Sequence, residues 1–217
     1  MSPQRKRCTQ EGVENKKGNS FHGPLKYTGY SPRFAANFES MLQKKPTDSL
    51  TTMTELVLPN DTNTLGNLMG GKLMHWMDIA AALAAMRHCN CPVVTASADN
   101  ISFENPVRLG NLVTIEARVT RAFNSSMEVY LKVHGEDLSA QYKYLSNEAY
   151  MTFVALDPNG KPRKVPELIP ETEEDMTRYD GALRRRQLRL ILSGRLKPSD
   201  ATELKKLFLD DVVVHKS

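Results

Sequence analysis

The sequence predicts an α+β fold in which one buried helix is covered by a long antiparallel sheet. Residues 72–88 contain helix-forming residues throughout and place apolar side chains on every side, so other parts of the protein must cover this helix. Strand-like segments then follow one another with short, turn-like connections. No helix separates them, which excludes the crossovers that a parallel sheet requires.

An extension, residues 1–50, precedes this core and is rich in Gly, Asn, Lys and Ser over much of its length. Such a composition predicts a flexible, basic segment. Apolar residues at helical spacing predict a short amphipathic helix over 33–44, and Pro46 ends it.

Residues 51–165 form the predicted core domain. Beta-branched and aromatic residues predict strands over 52–58, 93–98, 112–123, 127–135 and 143–156. A single buried helix with a sheet of this kind is the architecture of the hotdog fold. Residues 166–217 form a predicted helical tail, with a charged helix over 171–193 and a short helix over 202–209.

Charge and composition exclude several classes of function. The net charge is +4, and residues 1–30 account for all of it, with six basic and two acidic residues. The rest is neutral overall, so no nucleic-acid partner is predicted.

The longest apolar run is far shorter than a bilayer span, so no membrane partner is predicted. The basic start lacks an apolar segment, and three cysteines are too few for a disulfide framework; both favour a cytoplasmic location.

Two motifs resemble known sites but lack essential parts. Residues 66–72 match a phosphate-binding loop, GxxxxGK, yet Leu73 stands where a magnesium-binding hydroxyl is needed and the parallel sheet context is missing. Cys89 and Cys91 are separated by one residue and have no second ligand pair, so no metal site is predicted. Packing at the end of the helix explains them better.

Asp78 is the most informative single residue because it is the acid inside the apolar helix. Burying an unpaired carboxylate is costly. Asp78 therefore either faces a gap or pairs with His75 on the same helix face, or serves as a general base or nucleophile in a sheltered site. Asn67, among glycines just before the helix, is open to two interpretations, a turn or cap residue and a functional one.

Residues 54–157 resemble the hotdog acyl-CoA thioesterases (acyl-CoA hydrolases) of the cytosolic long-chain and bacterial broad-range type. The matching segments are TELVLPNDTNTLGNLMGGKLMHWMD, RHC, VVTASADNISFENPVRLGN and NSSMEV. The resemblance implies hydrolysis of fatty acyl-CoA to a free fatty acid and CoA. It also implies that Asn67 in the GNxxGG loop and Asp78, eleven residues later, form the catalytic pair.

In that family the two members of the pair come from different hotdog units, and the spacing here agrees. If the helix starts near Gly70, Asp78 lies about 12 Å along its axis, too far to share one carbonyl group with Asn67. The resemblance thus implies a homodimer as the catalytic unit, and a trimer of such dimers. The backbone N–H groups of Gly70 and Gly71 are expected to stabilise the thioester oxygen.

The resemblance also indicates where CoA binds. The expected contacts for its phosphates are Arg121, Asn124, Ser125 and Ser126, with Arg87 as a further candidate. Met69, Met74, Met77 and Met86 either line the acyl chain or fill core gaps. No cofactor is implied, since CoA is part of the substrate and product. Two alternatives remain: a non-catalytic acyl-CoA binding or sensing module, and a hotdog dehydratase using His75 with Asp78.

Overall fold

The computed structural model describes residues 43–99, 101, 103 and 105–206. In chain order its elements are β1 (Gln43–Lys44), α1 (Pro46–Ser49), β2 (Thr51–Leu56), α2 (Gly70–Cys89), β3 (Val93–Asp99), β4 (Leu112–Ala122), β5 (Ser126–Asp137), β6 (Tyr142–Ala155), β7 (Glu167–Leu168) and α3 (Glu173–Leu192). Two short 3-10 turns lie at Pro59–Asp61 and Pro198–Asp200. Residues 202–206 are helical, in agreement with the start of the last predicted helix.

Five of the strands form one antiparallel sheet in the order β2-β4-β5-β6-β3. Alternate residues of its long strands face opposite sides. On one side Val129, Leu131 and Phe153 are buried with α2 in a single apolar core. On the other side Tyr130 and Tyr150 pack against arginines of α3. The predicted α+β hotdog fold is confirmed.

Helix α2 is the centre of the core, but this chain's sheet covers only one side of it. The helix runs from Gly70 to Cys89, and its C-cap residue Asn90 adopts a left-handed conformation with φ of 51°. Its buried side is made largely of alanines, which allow close approach to the sheet. Met74, Ile79, Leu83 and Met86 remain exposed at 36–40%. Within the described residues, therefore, the sheet buries one side of α2, and these four apolar side chains on the other side remain partly exposed.

Strand β3 contains a β-bulge that changes which way its side chains face. The register against β6 shifts between Thr95 and Ser97, so Ala96 is the extra residue. In a regular strand Thr95 and Asp99 would lie on the same side, because side chains alternate. The bulge places them on opposite sides, so Thr95 contacts α2 and Asp99 contacts α3.

The helix predicted over 33–44 is not found where it can be checked. Residues 33–42 lie outside the described part of the chain, and Gln43–Lys44 form β1, which pairs in parallel with β7. The Lys44 carbonyl accepts a hydrogen bond from Ile169 N at 2.9 Å. Proline at position 46 also disfavours helical backbone at the preceding residue. Pairing with a distant segment thus overrides the local periodicity.

Helix α3 is held on the sheet by arginines that stack on aromatic rings. The Arg178 guanidinium lies 4.1 Å from the Tyr130 ring centroid, and that of Arg185 lies 3.7 Å from the Tyr150 ring centroid. Arg185 also binds both carboxylate oxygens of Glu128, whose side chain is 1% exposed. A carboxylate buried so deeply requires such a partner. In the part of the chain that the structure describes, no helix is long and apolar enough to cross a bilayer.

Replacing Arg185 with alanine is expected to lower the free energy of unfolding by about 3 kcal/mol, because Glu128 loses its main buried partner. Urea unfolding measures this change. Arg184→Ala is the matched control: Arg184 is a half-buried neighbour on α3 with no ion pair among the described residues. The second change Glu128→Gln in the Arg185→Ala background should restore part of the loss. Equal effects of Arg184→Ala and Arg185→Ala would contradict this role for the ion pair.

Candidate active site

The loop before α2 is fixed by backbone pairing with the segment that precedes β4. Leu68 N donates to Val107 O at 2.7 Å, and Leu109 N donates to Gly66 O at 2.9 Å. Gly66 has φ of +73°, a left-handed conformation that favours glycine. Asp61 supports the same loop, since its carbonyl accepts from Met69 N and its carboxylate lies 3.1 Å from Lys72 Nζ. The start of α2 therefore has a defined position.

The first two residues of α2 present backbone donors. Met69 is the N-cap residue and gives no side-chain cap, and its carbonyl accepts from Lys72 N and Leu73 N. Within the described residues, the N–H groups of Gly70 and Gly71 have no acceptor. A helix N-terminus with free N–H groups binds negative charge, because the helix dipole adds to the hydrogen bonds.

These donors lie beside a pocket of about 270 Å³. Its lining includes Asn63, Asn67, Gly70, Phe103 and Ser146. The Phe103 ring lies so close to Gly70 that a Cβ atom there would be 3.2 Å from Phe103 Cζ. Glycine at this position thus leaves room for an aromatic wall over the helix start.

Three asparagines line this pocket: Asn63, Asn67 and Asn105, and the side-chain amide of Asn105 donates to Leu145 O at 2.9 Å. The Asn63 side-chain oxygen accepts from Leu65 N at 2.9 Å and from Asn67 N at 3.2 Å, which shapes the loop. Its amide nitrogen has no acceptor among the described residues and can donate to a ligand. The Asn67 side chain makes no hydrogen bond within the described residues. The sequence drew attention to Asn67 because of the adjacent glycines, and it gave no such signal for Asn63.

Asp78 lies elsewhere on the same helix and does not line the pocket. Its Oδ1 atom accepts a hydrogen bond from Thr95 Oγ1 at 2.7 Å, and its side chain is half-buried. No hydrogen bond or ion pair joins Asp78 to His75 in the described part of the chain. Asp78 follows Gly70 by eight residues on a continuous helix, about 12 Å along its axis. Within one chain, Gly70 and Asn67 share a site that Asp78 does not join.

Thr95 is the contact that the sequence did not predict. It lies on an edge strand, and its orientation toward α2 depends on the β3 bulge, which leaves no recognisable pattern in the sequence. The Thr95 hydroxyl therefore helps to fix the position of the Asp78 carboxylate.

The turn between β4 and β5 carries the residues expected to contact CoA. Asn124 O accepts from Val165 N and Ser125 O accepts from Ala155 N, so the turn's carbonyl groups are satisfied internally. Arg121, at the end of β4, donates to Tyr179 O at 2.8 Å and stacks on the Tyr179 ring. Asn124, Ser125 and Ser126 keep their side-chain donors free within the described residues.

Arg87 has a structural contact that the sequence did not predict. Its Nη1 atom donates to Leu50 O and to Thr51 Oγ1, which ties the end of α2 to the start of β2. His88 and Cys89 are buried at the same helix end, and His88 Nε2 lies 2.9 Å from Pro166 O. Burial lowers the pKa of His88, because desolvation disfavours its charged form. Packing therefore accounts for this cluster.

Comparison with known proteins identifies related sequences over the core of the chain. The family model of the thioesterase superfamily matches residues 65–140. An uncharacterized acyl-CoA thioester hydrolase of Bacillus subtilis is 43% identical over 138 residues, which are 64% of this chain and 80% of that protein. Acyl-coenzyme A thioesterase 11 of Mus musculus is 44% identical over 145 residues, 67% of this chain but only 24% of that protein. The chain thus spans about a quarter of the mouse relative.

Solved structures share the fold. An apo-hexameric acyl-CoA thioesterase is 40% identical with a TM-score of 0.68, covering 70% of this chain and 97% of its own. An acyl-CoA hydrolase from Staphylococcus aureus, in complex with butyryl coenzyme A, coenzyme A and coenzyme A disulfide, is 37% identical with a TM-score of 0.66, covering 70% of this chain and 95% of its own.

Alanine variants of the Staphylococcus aureus enzyme replace an asparagine, an aspartate and a threonine at positions 28, 43 and 60 of that chain. The spacings, 15 and 17 residues, are those between Asn63, Asp78 and Thr95 here. This agreement draws attention to Asn63 and Thr95 in addition to the residues that the sequence singled out.

Proposed function

Because this chain belongs to the acyl-CoA hydrolases of the thioesterase superfamily, we propose that it hydrolyses fatty acyl-CoA thioesters to a free fatty acid and CoA, in the cytoplasm. The free N–H groups of Gly70 and Gly71 beside Asn67 are the observation that carries this proposal. They offer donors for the charge that develops on a thioester oxygen, and Asp78 on the same helix offers a base.

In the proposed reaction the thioester oxygen binds at the start of α2. Attack on the carbonyl carbon transfers negative charge to this oxygen, and the N–H groups of Gly70 and Gly71 stabilise that charge. One such donor contributes about 3 kcal/mol to the transition state. Breakdown of the tetrahedral intermediate then releases the CoA thiolate.

Asp78 is proposed as the general base that removes a proton from the attacking water. Thr95 holds Oδ1, and Oδ2 accepts no hydrogen bond from the described residues, so Oδ2 is free to take the proton. Direct attack by the carboxylate on the thioester is the second possible role. Both roles require Asp78 in its ionised form.

The proposed site is shared between two copies of the chain. One copy supplies Gly70, Gly71 and Asn67, and its partner supplies Asp78, because the helix holds these groups apart within one chain. The exposed apolar residues of α2 and the outer edge of β3, which lacks a partner strand among the described residues, support a second copy at this face. We propose a homodimer as the catalytic unit and, by analogy with the hexameric relative, three such dimers.

The CoA portion is proposed to bind at the β4–β5 turn through Arg121, Asn124, Ser125 and Ser126. Arg87, the further candidate, ties α2 to β2 through Leu50 and Thr51, whereas the side chains of Asn124, Ser125 and Ser126 are free among the described residues, which favours the turn. The acyl chain is proposed to pass along α2. Met77 is fully buried there, whereas Met69, Met74 and Met86 are partly exposed and available to contact the chain.

Release of CoA from a panel of acyl-CoA esters, followed with a thiol reagent, tests the proposed function. A non-catalytic binding or sensing module would bind the ester without releasing thiol. A dehydratase would release none either, and would use His75, which does not contact Asp78 here. Thiol release that rises with protein concentration supports hydrolysis, and its absence across all chain lengths excludes it.

Asp78→Asn is expected to lower kcat/KM by at least about 100-fold, because the amide cannot accept the proton of water. Asp180→Asn, an exposed acid on α3 that forms no ion pair among the described residues, is the matched control and should retain parental activity. Thermal unfolding checks that both variants are folded. A folded Asp78→Asn variant with near-parental activity would remove Asp78 from the mechanism.

Thr95→Val is expected to lower kcat by about tenfold, because the carboxylate loses a hydrogen bond worth roughly 1.5 kcal/mol. Thr95→Ser keeps the hydroxyl and should recover most of the rate. If valine and serine behave alike, the Thr95 hydroxyl has no part in positioning Asp78.

Asn67→Ala and Asn63→Ala are each expected to reduce kcat/KM by more than about tenfold, since both amides face the pocket. Asn63→Asp separates the two roles of Asn63, because aspartate keeps the oxygen that shapes the loop and removes the amide donor. Activity retained in Asn63→Asp assigns the substrate contact to Asn67 alone. Activity lost in this folded variant assigns a direct contact to Asn63 as well. Parental activity in either alanine variant contradicts the assignment of that asparagine.

A further inference from the structure

Helix α3 contains an arginine whose charge is not matched by a carboxylate. Arg178 pairs with Glu174, Arg185 with Glu128 and Arg189 with Asp99. Arg186 forms no ion pair among the described residues, although it is half-buried. Burial lowers the pKa of Arg186, and the nearby charges of Arg189 and Arg121 lower it further. Unmatched, partly buried cations are costly unless an anion joins them.

Arg186 faces the same aromatic ring as Arg121. The Arg186 guanidinium lies 4.4 Å from the Phe123 ring centroid, and that of Arg121 lies 5.9 Å from it. Glu128, the cross-strand neighbour of Arg121, is engaged by Arg185 and Thr120 instead. Two guanidinium groups therefore share one ring, and no carboxylate of the described residues forms an ion pair with either of them.

The turn next to this pair offers further donors and few acceptors. Its carbonyl oxygens at Asn124, Ser125 and Ser126 accept from Val165, Ala155 and Phe123, respectively. The side chains of Asn124, Ser125 and Ser126 keep free donors within the described residues. The two guanidinium groups, the serine hydroxyls and the Asn124 side-chain amide form a set of donors that suits phosphate oxygens, because the backbone carbonyls of the turn are already hydrogen-bonded.

We propose that Arg186 of α3 joins Arg121 and the β4–β5 turn in binding the phosphate groups of the CoA portion. This inference rests on the proposed thioesterase function and extends it, because Arg186 lies outside residues 65–140 that the family model matches. The C-terminal helix is then a part of the substrate site and not only a cover for the sheet. Arg186 is expected to act in binding and to take no part in the chemical step.

Steady-state kinetics of Arg186→Gln test the proposal with two substrates that carry the same acyl group. With acyl-CoA, KM is expected to rise about tenfold at nearly parental kcat, since one charge-assisted contact is lost. With the acyl-pantetheine thioester, which lacks the nucleotide and its phosphates, KM should not change. Arg184→Gln is the matched control on α3 and should leave both KM values unchanged. Thermal unfolding verifies that the variants are folded.

An acyl ester of 3′-dephospho-CoA identifies which phosphate is bound. If Arg186→Gln no longer raises KM with this ester, Arg186 binds the 3′-phosphate; if the rise persists, it binds the diphosphate, and both results support the site. An unchanged KM for acyl-CoA, or equal rises for acyl-CoA and acyl-pantetheine, overturns it.

If the parental chain hydrolyses no thioester, the proposed function fails. Calorimetry with free CoA then decides on this site: about tenfold weaker binding by Arg186→Gln supports it, and equal binding refutes it.

Discussion

The dominant constraint on this molecule is a helix that is apolar on all sides and meets only one sheet. Burial of apolar surface is the main force that stabilises the fold, so α2 is held firmly where alanines allow the sheet to approach. The opposite face of α2, with Met74, Ile79, Leu83 and Met86, is left exposed within the chain. The same helix carries free donors at its start and a carboxylate two turns further along. Helix α2 therefore accounts both for an exposed apolar face that a second copy could bury and for the proposed division of the site between two copies.

The sheet has a second role, as the platform for α3. Its outer side carries tyrosine rings and a buried glutamate, whereas its inner side carries apolar residues such as Val129, Leu131 and Phe153. Arginines suit this surface because their planar groups stack on rings while their N–H groups bind a carboxylate. A helix attached in this way presents cations near the β4–β5 turn. Arginines of α3 thus both attach the helix to the sheet and provide the proposed contact to phosphate.

Much of the fold could be predicted because its patterns are local. Helix α2 and the long strands β4, β5 and β6 agree with the sequence to within two residues at each end, since composition and turn residues mark them directly. Features that depend on distant partners could not be predicted: β1 exists because Gln43–Lys44 pair with β7, and Arg87 is engaged by Leu50 and Thr51. The Asp78–Thr95 hydrogen bond belongs to this group, because it depends on a bulge.

That bulge also determines which kinds of sequence change β3 can accept. Ala96 matters as an additional residue between the two halves of β3, because these halves contact different helices. Exchanging Ala96 for another small residue preserves the number of residues. Deleting it would bring Thr95 and Asp99 to the same side of the sheet. The strand could then keep either the hydrogen bond from Thr95 to Asp78 of α2 or the ion pair of Asp99 with Arg189 of α3, but not both. In this strand, length is under tighter constraint than side-chain identity.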